Sequence, residues 1–147
     1  MNAKEMWNAF IQKHPEAADD NHEVWCYGSS AADELAQLTV RGIKTATASA
    51  FPLYEIENEP LPNEGEYNVI VYTDGTAACI TKTTKVYTVC FGHVSPEHAY
   101  REGEGDRSLA YWRAVHEAFF AEELKEAGLT FTEDMKVLCE EFELVFK

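Results

Sequence analysis

Residues 41–49, Arg-Gly-Ile-Lys-Thr-Ala-Thr-Ala-Ser, contain a change from helix to strand that organises the rest of the chain. An amphipathic helical pattern precedes Gly42, and glycine commonly ends a helix in the left-handed conformation. Small and β-branched residues follow over 45–51, which predicts a strand. Lys44 and the hydroxyl of Thr47 therefore lie where the chain reverses into a sheet, a usual location for binding or reactive groups.

Two interpretations of Lys44 are open. A cation near the end of a helix interacts favourably with the helix dipole and needs no further role. Alternatively, Lys44 points into a cleft, where a partly desolvated lysine can act as a base. Side chains three apart in a regular strand face opposite ways, so Lys44 and Thr47 share a site only if Lys44 lies in the turn. Thr45 lies on the same face as Thr47 and is an alternative hydroxyl.

A second polar segment, residues 102–109, precedes the longest predicted helix, residues 107–127. Glycines at two positions of this segment permit a sharp backbone turn, which can aim a glutamate back toward Lys44. The candidates are Glu102 and Glu104. The alternative interpretation is a solvated acidic loop without a functional role.

Further candidate residues lie within apolar patterns. His116 belongs to the apolar stripe of the long helix, where a hydrogen-bonded core histidine is the ordinary interpretation. Glu140 falls on the apolar side of the last strand, so it must be paired or lie at a rim. Trp25 and Tyr27 can stack on a base, as aromatic residues do in nucleotide sites, or can be ordinary core aromatics.

The overall pattern predicts one α+β domain covering residues 1–147, with a helix and loop at 1–22 packing on the predicted barrel. Most strands are linked as hairpins, with helices inserted between them. This favours a small, largely antiparallel β-barrel with peripheral helices over alternating βαβ units. The predicted strands are residues 24–28, 45–51, 67–72, 76–81, 84–91 and 136–146.

Composition limits the possible partners. The net charge is −14, which disfavours general binding to duplex DNA because that binding depends on Lys and Arg. We find no signal peptide and no apolar run of membrane-spanning length, and we expect a cytoplasmic protein. Four separated cysteines lack the paired spacing of zinc ligands, and no motif implies a metal or cofactor.

The Gly42, Lys44 and Thr47 pattern, together with the polar segment 102–109, resembles the ASCH superfamily of small barrels related to the PUA RNA-binding fold. The resemblance extends from about residue 25 to 146. The superfamily includes bacterial amidohydrolases that act on N4-acylated cytidine. They are described as using the motif lysine and threonine with a glutamate. The resemblance implies an amide hydrolase acting on a modified nucleoside.

Transferred to this sequence, the family mechanism implies Lys44, Thr47 and Glu104 as catalytic residues. Thr47 would attack the acyl carbonyl and Lys44 would take its proton, while Glu104 would orient the lysine or protonate the leaving amine. Because of the neighbouring glycines, the family's glutamate could correspond to either of two positions, Glu102 or Glu104. The residues expected around the substrate are Gly42, Trp25, Tyr27, Arg107 and His116.

The expected partner is a small nucleoside or a short single-stranded RNA, and the oligomeric state is left open. The PUA relationship also implies an RNA-binding or regulatory module, and ribonuclease activity is a third possibility. A closed pocket sized for one nucleoside would favour hydrolysis. An open groove with several basic side chains would favour RNA.

Overall fold

The computed structural model describes all residues, 1–147, as an α+β structure. Besides the helices and strands given next, the chain has two short 3-10 turns, Pro15–Ala17 and Phe91–His93. The helices are α1 (Ala3–Lys13), α2 (Ala32–Val40), α3 (Phe51–Ile56), α4 (Pro96–Glu102) and α5 (Leu109–Glu126). The strands are β1 (His22–Trp25), β2 (Ala46–Ala50), β3 (Tyr67–Val71), β4 (Ala77–Cys90) and β5 (Lys136–Phe146).

The five strands form one sheet in the order β1-β3-β4-β5-β2. The β1–β3 pair is parallel and the other three pairs are antiparallel, so the predicted α+β class is confirmed. The sheet is mixed and is not closed, which corrects the predicted barrel. Its edge strands β1 and β2 have only four and five residues, and a cavity lies between them in place of a hydrogen-bonded ladder.

Two local predictions are also corrected. The segments predicted as separate strands over 76–91 form the single strand β4, with a register shift between Thr83 and Lys85 in place of a break. The strand predicted to reach residue 51 ends at Ala50, and α3 follows at once. Pro52 lies in the first turn of α3, where a missing backbone N–H is tolerated.

Side chains of β5 alternate between the two faces of the sheet, so one set packs in the core and the other faces the candidate site. Val137 and Cys139 pack against Phe120 and Leu124 of α5 in one apolar cluster. Because successive side chains of a strand face opposite ways, Glu140 lies on the other face. A second cluster joins α1 to the sheet, so the N-terminal helix covers part of β3 and β4. None of the helices has the length and hydropathy of a membrane span.

Candidate functional site

The turn after α2 places Lys44 outside the regular strand. Gly42 has a φ of 74°, the left-handed conformation that glycine adopts without strain. The backbone N–H groups of Ile43 and Lys44 both donate to the carbonyl of Leu38, at 2.9 and 3.1 Å. The strand β2 begins only at Ala46. Lys44 therefore lies in the turn, which is the condition derived from the sequence for Lys44 and Thr47 to share a site.

The end of α4 packs closely against this turn. Gly103, with a φ of 74°, caps α4, and a Cβ atom at this position would lie 2.7 Å from the carbonyl oxygen of Ile43. The backbone N–H of Thr45 donates to the carbonyl of Arg101 at 2.7 Å. A guanidinium N–H of Arg107 also donates to the carbonyl of Ile43, at 3.3 Å. Only glycine fits at 103, and this close approach brings two distant segments together.

Lys44 is buried in an acidic environment. Its side chain is 1% exposed, and Nζ lies 3.1 Å from Oε1 of Glu102 and 3.5 Å from Oε2 of Glu104. The ammonium also lies 5.4 Å from the centre of the Tyr27 ring. Both glutamates of the polar segment therefore reach Lys44. Glu102 is closer and 1% exposed, whereas Glu104 is 18% exposed.

Glu102 is the centre of a buried hydrogen-bond network. Its Oε2 accepts from Nε2 of His98 at 2.7 Å and from the indole N–H of Trp112. Nε2 of His116 lies 3.5 Å from Oε1. Burial disfavours the ionised carboxyl, but the Lys44 ammonium and the histidine hydrogen bonds outweigh it and hold the pKa of Glu102 well below its ordinary value.

His116 combines a structural role with a place in this network. Its ring stacks on Trp112 at 4.2 Å between centroids, and Nδ1–H donates to the Trp112 carbonyl at 2.9 Å. Burial lowers the pKa of His116, but the hydrogen bond and charge of Glu102, with Glu104 further away, outweigh it, so the pKa is raised. The side chain is thus a hydrogen-bonded, nearly buried histidine that faces the carboxylates.

Three of these groups have the donor types of a metal site. Atoms of Glu102, Glu104 and His116 all lie within 4.8 Å of one another. The Lys44 ammonium, however, already contacts both carboxylates. We therefore describe this arrangement as an ion-paired cluster and assign no metal to it.

A cavity of about 570 Å³ opens between the edge strands β1 and β2. Its lining includes Trp25, Tyr27 and Thr47, whereas Lys44 and the carboxylates of the cluster lie outside its wall. Tyr27 connects the two regions because its ring contacts Lys44 and also lines the cavity. The hydrogen bonds of Lys44 go to Glu102 and Glu104, and none goes to Thr47.

Gly42 and Arg107 lie elsewhere. They line a second, more open concavity together with Tyr100 and Arg101. The guanidinium of Arg107 lies 3.6 Å from the centre of the Tyr100 ring, and its Nε donates to the Tyr100 carbonyl. These contacts support the turn that carries Lys44.

Glu140 lies opposite Thr47 in the β2–β5 pair and lines the same cavity. Of the two possibilities derived from the sequence, pairing or a place at a rim, Glu140 shows the second: it forms no salt bridge and lines the cavity. Burial, with a smaller contribution from the charge of Glu66, raises the pKa of Glu140 to about 7. An acidic group that titrates near neutrality therefore stands beside the Thr47 hydroxyl.

Two residues of the network, His98 and Trp112, were not assigned to a site from the sequence. His98 and Glu102 are four apart on α4, and Trp112 and His116 are four apart on α5, so each pair shares a helix face. This spacing is a usable signal, but only when the two helices are known to face each other. Asn68 is a third case, since it holds the Trp25 indole at 3.0 Å.

Comparison with known proteins identifies the family to which this chain belongs. Residues 23–146 match the ASCH domain family, so the chain belongs to that family. The PUA-like α+β fold expected from the Gly42, Lys44 and Thr47 pattern is thereby confirmed. No curated protein matches the sequence.

Solved structures agree with this assignment. The chain is similar to an ASCH domain from Lactobacillus crispatus JV V101, with a TM-score of 0.93 and 30% identity over 98% of this chain and 94% of that one. It is also similar to protein EF3133 from Enterococcus faecalis V583, with a TM-score of 0.88 and 36% identity over 99% and 88% of the two chains. A ZmASCH variant from Zymomonas mobilis, 15% identical with a TM-score of 0.50 over 84% and 70%, shares the fold.

Proposed function

We propose that this protein is an amidohydrolase that removes the acyl group from an N4-acylated cytidine. One observation carries the proposal. The buried Lys44 amine, held 3.1 Å from Glu102, contacts the Tyr27 ring, and that ring forms part of the wall of the cavity that contains the Thr47 hydroxyl. A nucleophile, an amine and an orienting carboxylate are the parts that covalent acyl transfer requires.

The proposed reaction begins with attack of the Thr47 hydroxyl on the acyl carbonyl carbon. In this proposal the Lys44 ammonium first gives one proton to the Glu104 carboxylate; Lys44 then takes the hydroxyl proton, and the ammonium formed is stabilised by Glu102. Collapse of the tetrahedral intermediate breaks the bond to N4, and Lys44 returns the proton to the leaving nitrogen. Water then hydrolyses the threonyl ester and releases the carboxylic acid, which restores the hydroxyl.

Proton transfer requires a change at Lys44, since no hydrogen bond joins it to Thr47. Rotation of the lysine side chain past Tyr27, or a bridging water, would bring the groups into reach. Glu102 replaces Glu104 as the principal orienting residue in this proposal, because its contact with Lys44 is shorter and its carboxyl is fixed by His98 and Trp112. Glu104 remains a second partner of the amine.

The cavity supports a small substrate. Its volume falls within the range of about 300–1,000 Å³ typical of small-molecule sites. Trp25 and Tyr27 contribute aromatic surface, and the ring planes lie at 87° to each other. A nucleoside base can pack against such a wall by stacking on one ring and contacting the edge of the other.

Single-stranded RNA binding is the second candidate, favoured by one observation. The concavity beside the Lys44 turn contains two guanidinium groups, those of Arg101 and Arg107. Arg107 is occupied by Tyr100 and Ile43, and Arg101 lies 3.6 Å from Glu141, so little free positive charge remains. The cavity therefore supports hydrolysis of a nucleoside better than this concavity supports RNA binding.

The test is release of cytidine from N4-acetylcytidine by the purified protein, followed by chromatography. We expect turnover by the wild type and no tight binding of a labelled single-stranded RNA in fluorescence anisotropy. A folded wild type that leaves a panel of N4-acylcytidines intact would refute the hydrolase. Micromolar RNA binding that weakens steeply with salt would then establish the second candidate.

A further inference from the structure

The cavity contains a carboxyl group that the proposed reaction does not use. Glu140 lines the cavity, and its side chain forms no hydrogen bond and no ion pair within the protein. Its neighbour across the β2–β5 pair is Thr47. Side chains directly opposite in an antiparallel pair have Cβ atoms about 4.5–5.5 Å apart. A ligand whose acyl group reaches Thr47 therefore places its next atoms beside Glu140.

The charge of the cavity is strongly one-sided. Six glutamates line it, and no lysine, arginine or histidine does. Such a site repels phosphate groups and attracts ligands that offer N–H donors. The six are Glu23, Glu57, Glu59, Glu66, Glu123 and Glu140.

Aromatic walls of the cavity are fixed by hydrogen bonds. The Trp25 indole donates to Oδ1 of Asn68 at 3.0 Å, and Nδ2 of Asn68 donates to the hydroxyl of Thr83 at 3.2 Å. The Tyr54 hydroxyl lies 2.8 Å from that of Ser49. Ordered rings of this kind bind a planar base at a small cost in side-chain entropy.

Glu140 is half-buried and has no polar partner in the protein, so a ligand that hydrogen-bonds to its carboxyl offsets the desolvation of that group. Burial and the charge of Glu66 raise the pKa of Glu140 to about 7, so its neutral form is populated near neutrality. A neutral carboxyl presents one O–H donor and one carbonyl acceptor side by side. The N3 and N4 positions of cytosine present the complementary acceptor and donor.

We propose that Glu140 recognises the N3–N4 edge of a cytosine base in this cavity, and that the surrounding glutamates exclude ligands that carry a phosphate. The choice of cytosine rests on the proposed function. The exclusion of phosphate rests on the charge of the cavity alone. Glu140 is in this view a binding residue adjacent to the nucleophile.

Binding of cytidine and of cytidine 5′-monophosphate, measured by titration calorimetry at pH 7, tests this inference without requiring turnover. We expect wild type to bind cytidine at least tenfold more tightly than the monophosphate. Glu140→Met removes the donor and acceptor and should weaken cytidine binding about tenfold or more. Glu140→Gln keeps one donor and one acceptor and should bind within about threefold of wild type.

The matched control is Glu143→Met, an exposed glutamate of the same strand outside the cavity, which should leave cytidine binding unchanged. A monophosphate that binds as tightly as cytidine, or a wild type that binds neither, overturns the inference. Equal cytidine binding by Glu140→Met and wild type overturns it as well, even if N4-acetylcytidine is hydrolysed. Cytidine binding with the expected variant pattern but no hydrolysis supports it while refuting the hydrolase.

Discussion

Lys44 and Glu102 lie 58 positions apart in the sequence and form an ion pair of 3.1 Å, with each side chain 1% exposed. The pair joins the turn after α2 to the end of α4. Desolvation of two charges is compensated only where the geometry is good and the remaining hydrogen bonds are made. His98 and Trp112 supply those bonds to Glu102, so the arrangement is stable only as a complete network.

Removal of one member of this network should be strongly destabilising. Glu102→Ala leaves the Lys44 ammonium buried without its closest carboxylate, and such changes cost about 3–5 kcal/mol. Glu104→Ala, at a partly exposed position, should cost about 1 kcal/mol or less. Urea denaturation gives both values. Equal free energies of unfolding for the two variants would show that Glu102 is not the principal partner.

Substitutions of Thr47 and Lys44 should differ in their effects, because the first should reduce activity alone and the second both activity and stability. Thr47 lines the cavity, so Thr47→Ala should fold normally and lose turnover by about 10³-fold or more, since the nucleophile is removed. Thr47→Ser keeps the hydroxyl and is the control. Lys44→Ala should lose both activity and stability, because the side chain is buried and not at an open cleft as its sequence position suggested. Initial rates of cytidine release and thermal unfolding distinguish these cases. A fully active Thr47→Ala would exclude threonine as the nucleophile.

The stability of the protein should depend on pH through Glu102 and His116. The folded pKa of Glu102 is lowered, so its contribution is present above the unfolded value of about 4.3 and is lost as pH falls through the folded value. The folded pKa of His116 is raised, so its contribution is present below about 6.5 and is lost as pH rises through the folded value. Chemical denaturation from pH 3 to 9 should show both limbs. A Glu102→Gln variant that keeps the same acid limb would contradict this assignment.

Ionisation of Glu140 should lower the stability of the folded protein, whereas ionisation of Glu102 raises it. The pKa of Glu140 is raised to about 7, so ionisation becomes unfavourable to the folded state as pH rises from about 4.3 to 7. The charged or titratable groups near it, including Glu66, Tyr54, Glu23 and Glu123, offer no cation. Glu140→Gln should therefore be more stable than wild type at pH 8 and similar to it at pH 5. A destabilised Glu140→Gln at pH 8 would show that the carboxylate has a partner.

Trp112 should contribute through both packing and its indole N–H. The side chain is 2% exposed and packs in the cluster of α5, so Trp112→Ala should cost about 3–5 kcal/mol. Trp112→Phe retains most of the apolar surface but removes the donor to Glu102, with an expected cost of about 1.5–3 kcal/mol. Calorimetric unfolding of both variants measures the two contributions. A Trp112→Phe variant as stable as wild type would show that the hydrogen bond adds nothing.

The sequence alone determined the local structure on which the site is built. The glycine at 42 and the small, β-branched residues after it specify a helix end, a turn and a strand, because these preferences act over a few neighbouring residues. The resemblance of Gly42, Lys44 and Thr47 to the ASCH pattern gave the family, which residues 23–146 confirm. Both Glu102 and Glu104 were identified as carboxylates able to reach Lys44.

Only the tertiary structure decided which of these groups meet. The closest partner of Lys44 is Glu102 because Gly103 packs against the Ile43 carbonyl, a contact between segments distant in sequence. The cavity lies between the open edges at β1 and β2, and the antiparallel β2–β5 register places Glu140 beside Thr47 in its wall. Periodicity specifies which face a side chain takes, whereas the pairing of faces depends on long-range packing that no local pattern encodes.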